Sequence, residues 1–150
     1  MDKIDRRILQ LLHQHARITN PALARAVGLS TSPCWARVRR LEKEGVIQRY
    51  ITVVDQEKIG LPDTAIIELA FERHDAALFR DFEQAIAAMP EVIECMILFG
   101  EWDYVLTVVA HDVDDYQRFV FDKLSKLPNI ATYRSTLIMR VVKHTTVLPV

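Results

Sequence analysis

The chain has 150 residues, half of them apolar and 26% charged, with a formal net charge of −1; that is ample for one packed domain or two small ones. Two cysteines outside any Cys-x-x-Cys pair exclude a disulfide scaffold, and neither the start MDKIDRRILQ nor any later run approaches the apolar length of a signal peptide or membrane span, so a soluble cytoplasmic protein is expected. The near-neutral total hides an asymmetry: residues 1–50 hold ten Lys or Arg against four Asp or Glu, a surplus of +6, while the remaining hundred carry −7, so one end favours a polyanion and the other repels it.

At the start, Asp2 or Asp5 can cap a first helix whose apolar face is Ile4, Ile8, Leu11 and Leu12. The stretch Arg17 to Gly45, RITNPALARAVGLSTSPCWARVRRLEKEG, then reads as two short helices joined by a tight turn. Thr19 or Asn20 caps the first of these, Pro21 sits in its first turn, and Gly28 ends it. Ser30 caps the next helix, which runs to Glu44 and stops at Gly45. Cys34, Val38 and Leu41 form its apolar stripe, so Cys34 is expected to be a core thiol. Ser32, Trp35, Ala36, Arg39, Arg40 and Lys43 come out on the other side. A helix, a glycine turn and a basic second helix make a helix-turn-helix whose second member can lie in a DNA major groove; the bland counterpart is a helical hairpin with a solvated basic face. Ser32, Trp35 and Arg39 are expected at base edges and Arg37, Arg40 and Lys43 at phosphates, with Trp35 equally able to lean on the helix core.

Val46 to Val54 is rich in β-branched residues and is expected to form a wing strand, from which Arg49 and Tyr50 could reach a phosphate. Residues 1–54 would thus be a winged helix-turn-helix domain of three helices plus short wing strands, and the polar segment 55–62, DQEKIGLP, a linker. Residues 63–150 change character. Thr64 to Phe71 is β-prone, Asp75 to Met89 helical, Val92 to Phe99 a buried-strand run, Tyr104 to Ala110 a strand, Asp112 to Leu127 a capped helix and Ile130 to Val142 a last strand. Both halves pass from helix to strand through a proline, Met89-Pro90-Glu91-Val92 and Leu127-Pro128-Asn129-Ile130. The order predicts a ferredoxin-like βαββαβ domain with both helices on one sheet face, giving an α+β protein overall. The bare opposite face calls for a partner, so a dimer is expected.

An enzyme on the second domain would have to draw on His74, His111, Asp112, Glu94 and Cys95. These show neither nucleophile-base spacing nor a metal signature, so no catalytic residue, metal site or cofactor is expected; His111-Asp112 reads as a strand end and a helix cap.

The whole length resembles the Lrp/AsnC (feast/famine) family of transcription regulators. The residues that carry the resemblance are Asp2-x-x-Asp5, Arg17-Ile18-Thr19-Asn20, Leu23-Ala24, Val27-Gly28-Leu29-Ser30, Arg37-Val38-x-x-Leu41-x-x-x-Gly45-Val46-Ile47 and Tyr50 in the first half. In the second they are Pro90-Glu91-Val92, Gly100-Glu101-Trp102-Asp103-Tyr104, Leu127-Pro128 and Lys143-x-Thr145-Thr146-x-Leu148-Pro149. The resemblance implies a sequence-specific, double-stranded-DNA-binding regulator with an amino acid as effector, dimers paired through their sheets and often four dimers in a ring, an octamer. It also implies an effector site between dimers near Gly100, Glu101, Trp102, Asp103 and Tyr104, with Thr136 as a further wall from a neighbouring subunit. Trp102 and Glu101 depart from the commoner Gly-Asp-Tyr-Asp turn and leave the effector's identity open. Asp103 could take an ammonium group and the glycine turn's N–H groups a carboxylate, or Glu101 and Asp103 are plain turn carboxylates. An amino-acid-binding module that does not itself touch DNA is the alternative.

Overall fold

The computed structural model describes residues 1–145. Two compact units divide it, the first built on Met1–Val53 and the second on Val54–Val141.

Three helices make the first unit: α1 (Lys3–Gln14), α2 (Asn20–Ala26) and α3 (Thr31–Lys43). Asp2 is the cap of α1, closed reciprocally with Asp5: the Asp5 N–H donates to Asp2 Oδ1 at 2.8 Å and the Asp2 N–H to Asp5 Oδ2 at 3.0 Å. Such a capping box satisfies two N–H groups that the helix cannot. Thr19 caps α2 through its hydroxyl, whereas Ser30 occupies the cap position of α3 without a side-chain bond. Gly28 takes a φ of +71° in the turn between α2 and α3, where the Leu29 N–H donates to the Ala24 carbonyl at 2.9 Å. Ile8, Leu9, Leu23, Ala24, Cys34 and Leu41 form the core between the helices, and burial raises the Cys34 thiol above its usual range, so it is a core thiol.

The expected wing strand over residues 46–54 does not form. A ladder needs a second extended segment, and none is assigned among the described residues of this unit, so Val46, Ile51, Val53 and Val54 stand exposed instead of pairing.

The second unit runs β1 (Asp63–Phe71), α4 (Ala76–Ala87), β2 (Val92–Ile97), β3 (Tyr104–Ala110), α5 (Val113–Asp122), a short 3-10 turn at Leu124–Lys126 and β4 (Ile130–Leu137). The sheet order is β2-β3-β1-β4 with every neighbour antiparallel, the ferredoxin-like arrangement. Alternation puts Ala65, Ile67, Leu69 and Phe71 of β1 and Tyr104, Leu106 and Val108 of β3 on the buried face, against Phe82 and Ile86 of α4 and Tyr116, Phe119 and Val120 of α5. Rings of Phe71, Phe79, Phe82 and Tyr104 meet at centroid distances of 4.8–6.0 Å.

Three expectations are corrected here. The run from Val92 to Phe99 is not a buried strand: β2 lies at the sheet edge, its register slips between Val92 and Glu94, it ends at Ile97, and Ile93, Ile97 and Phe99 are exposed. The helix foreseen to Leu127 breaks at Lys123 into the 3-10 turn, and β4 ends at Leu137, short of Val142. The Leu127-Pro128-Asn129 junction relies on Asn129 adopting a φ of +73°, a conformation that asparagine tolerates better than most residues. Thr146, Leu148 and Pro149 lie outside the described residues.

On the opposite sheet face the register aligns Ile66, Glu68, Thr107, Val105, Arg134 and Thr136. No element of this unit covers them, because both helices pack on the other side.

Candidate functional site

Two regions carry the residues expected to act. The first is the exposed face of α3. Ser32, Trp35, Arg39 and Lys43 all lie on it. Trp35 is 55% exposed, which decides against its leaning on the core. The Arg39 guanidinium stands 5.3 Å from the Trp35 ring centre and 3.4 Å from the Glu42 carboxylate, so it is braced at the surface yet open to a ligand. Asn20, at the start of α2, donates to the Thr31 carbonyl at 2.9 Å and ties the two helices together beside Ser32.

Arg37 and Arg40, expected at phosphates, are paired with carboxylates of the protein itself. Arg37 donates to Asp2 at 2.7 Å and to Asp5 at 2.8 Å, and Arg40 to Asp5 at 2.6 Å. Burial pushes the Asp5 carboxyl up, but the Asp2 N–H and the two guanidinium groups outweigh it and hold it down at about 2. The same bonds to Asp2 and Asp5 raise Arg37. Tyr50 donates to Glu42 at 3.0 Å, so its hydroxyl also is engaged on the protein.

The second region is the turn from Gly100 to Tyr104. Asp103 closes it: its carbonyl accepts from the Leu98 N–H and its N–H donates to Leu69, each at 2.8 Å. Its carboxylate accepts the Phe71 N–H at 2.7 Å and faces His74 Nε2 at 2.8 Å. Both oxygens thus carry a bond within the protein and Asp103 anchors the turn, so an ammonium group would share an oxygen with the Phe71 N–H or His74. Tyr104 is likewise no surface contact: it is 1% exposed and its hydroxyl donates to Glu83 at 2.7 Å, while burial and then that carboxylate drive its phenol well above the usual range.

Glu101 is exposed at the turn's tip, and a Cβ built on Gly100 would meet nothing within 4 Å. Trp102 lies under Arg134, whose guanidinium is 5.2 Å from the ring centre and pairs with Glu68 at 2.5 Å. Thr136 is exposed on β4, two residues from Arg134 on the same face. Sequence reasoning missed Glu68 and Arg134, since a cross-strand pair 66 residues apart leaves no local signal.

The enzyme candidates do not converge. His74 is bound to Asp103, and His111 Nδ1 contacts the Gly60 carbonyl. Asp112 caps α5, as read from the sequence, and Glu94 accepts from Thr107 at 3.3 Å. The Cys95 thiol is pushed up to about 11 by burial and then by Glu83, the opposite of an activated nucleophile. Among the described residues no three or more His, Cys, Asp or Glu gather as a metal site, and no helix is long and apolar enough to cross a membrane.

With both regions in view, the likenesses to known proteins are informative. Residues 1–48 match the family described as winged helix-turn-helix DNA-binding, and residues 64–148 the Lrp/AsnC ligand binding domain. The chain is 36% identical to the DNA-binding transcriptional activator DecR of Escherichia coli (strain K12), covering all of this chain and 99% of that one. It is 36% identical to the leucine-responsive regulatory protein of Haemophilus influenzae over 99% of this chain and 89% of the relative. Among solved structures, a transcriptional regulator in complex with L-Met from Neisseria meningitidis is 34% identical with a TM-score of 0.94, covering 99% of this chain and 96% of that one. An AsnC family transcriptional regulator from Agrobacterium tumefaciens is also 34% identical with a TM-score of 0.94, over 99% and 97%.

Proposed function

The chain belongs to the Lrp/AsnC family of DNA-binding transcriptional regulators, and from that premise we propose that it reads duplex DNA through α3 under the control of an amino-acid effector held by the second unit. The observation that carries the first half is the outward set Ser32, Trp35 and Arg39 on a helix fixed by its neighbours. Ser32 and Arg39 reach base edges, Arg39 as a bidentate donor to guanine; Trp35 lies against the groove wall, and Lys43 takes a phosphate. Two copies, paired through the bare sheet face, would place two such helices about one turn of DNA apart on an imperfect palindrome.

The amino-acid effector is supported by the L-Met complex of the Neisseria meningitidis relative and by the chemistry of the turn. Gly100 offers unobstructed backbone, Glu101 an open carboxylate and Trp102 an apolar wall, while Asp103 and Tyr104 hold the turn's shape; Thr136 of a neighbouring subunit closes the site. Effector binding acts on DNA only through different affinities for alternative assemblies of the subunits. The protein acts in the cytoplasm as a regulator, with no catalytic step.

The DNA contact is tested by fluorescence anisotropy on a duplex selected from a random library. Arg39→Ala is expected to reduce discrimination between selected and random duplex by about 10-fold to 100-fold, the worth of one bidentate base contact. Equal loss on both would reassign Arg39 to a phosphate. A thermal-shift screen of the twenty amino acids is expected to single out one or a few that raise the melting temperature by mass action.

A further inference from the structure

Asp5 is a buried acid, 1% exposed, in a unit that must approach a polyanion. Its Oδ1 accepts from Arg37 at 2.8 Å; its Oδ2 accepts from Arg40 at 2.6 Å and from the Asp2 N–H at 3.0 Å. Asp2 adds a second carboxylate to Arg37 at 2.7 Å. Both acids sit at the amino end of α1, where the helix dipole favours negative charge. Arg40 is one helical turn from Lys43, so without these carboxylates its charge would join the outward side of α3, whereas Arg37, two residues from Arg39, comes off the side of the helix that meets Asp2 and Asp5. Arg39 has a long contact of 3.4 Å to Glu42 and the Trp35 ring beside it, and its side chain is 64% exposed. One pair of cations on α3 is therefore closed onto the protein while the others point outward.

We propose that Asp5, assisted by Asp2, sets the selectivity of DNA binding by withholding Arg40 from the phosphates while fixing α3 against α1 through Arg37. A phosphate contact strengthens binding to every sequence alike, whereas selectivity is the ratio of the right duplex to a random one. Two guanidinium groups closed on Asp5 add nothing to random binding, and the same bonds hold Ser32, Trp35 and Arg39 in one orientation. Asp5 is thus a positioning residue, and the inference rests on the reading of α3 as the DNA-facing helix.

The test uses the full chain, with anisotropy on a random-sequence duplex and a library-selected duplex over a salt series. Asp5→Asn, shown by circular dichroism to keep its helices, is expected to steepen the slope of log K against log salt by about one, close to 0.9 for the one phosphate that Arg40 gains. Random-duplex binding tightens more than selected binding, so their ratio falls. An unchanged or shallower slope in the folded variant overturns the inference. Should Asp5→Asn fail to fold, Arg40→Gln, which keeps an amide donor toward Asp5, is expected to leave the wild-type slope unchanged; a slope shallower by about one would show that Arg40 already holds a phosphate, and would overturn it. A wild-type chain that binds duplex with no salt dependence sinks the DNA reading itself, whereas a salt-dependent wild type with an indifferent Asp5→Asn sinks only the role given to Asp5.

Discussion

At the scale of single residues, acids decide more than bases. Asp5 titrates at about 2 when folded, against an ordinary 3.8, because the bonds from Asp2, Arg37 and Arg40 overcome the penalty of burial. A carboxyl lowered by folding stabilises the fold in full above its unfolded pKa and loses that contribution as the pH falls through the folded one. Thermal melts are therefore expected to decline between about pH 4 and pH 2, in step with protonation of Asp5 and of Asp2, which is lowered chiefly by the Asp5 N–H and then by Arg37. Asp5→Asn should lower the melting temperature at pH 7, with a cost of about 1–3 kcal/mol for hydrogen bonds to charged groups, and should flatten that acid decline. Acid melts of the variant that match wild type would remove Asp5 from the account. Asp103 makes a similar point without titration: a carboxylate that looks open in the sequence is spent on the Phe71 N–H and His74.

Elements with local causes were the legible ones. Asp2, Thr19, Asp75 and Asp112 all cap the helices they precede, and Gly28 and Gly45 end two of them with left-handed φ. A Cβ added to Gly28 would meet nothing within 4 Å, so Gly28→Ala costs only the backbone term, about 1–2 kcal/mol, and is expected to lower the melting temperature by several degrees without altering the fold. A loss much beyond that would point to a contact the open space does not suggest. Legibility failed where the cause lay far along the chain. The β-branched residues of 46–54 favour a strand, but a strand is made by its partner, and this segment has none assigned among the described residues of its unit. The apolar residues of β2 suggest burial, whereas its exposure follows from its place at the edge of the order β2-β3-β1-β4. The closure of Arg40 on Asp5 spans 35 residues, and the pairing of Arg134 with Glu68 spans 66, so the sites were legible as regions and not as networks.

For the whole molecule, charge and uncovered surface point the same way. The surplus of +6 in residues 1–50 lies in the unit that carries α3, and the −7 of the remainder lies almost wholly beyond it. A polyanion is drawn to one unit and repelled by the other, which orients the encounter before any base is read. Ile66, Val105, Thr107 and Thr136 lie on a sheet face that neither helix of this unit covers, and light scattering is expected to give the mass of a dimer or of an eight-subunit ring built from dimers. A monomer at micromolar concentration would leave that face unexplained. The edge strand β2 adds a cost to solitude. With Ile93, Ile97 and Phe99 exposed beside half-used backbone amides, a lone subunit shows the combination that recruits chaperones and seeds precipitation. Subunits kept apart by a charge placed on the uncovered sheet face are accordingly expected to precipitate sooner than wild type, read as turbidity on storage.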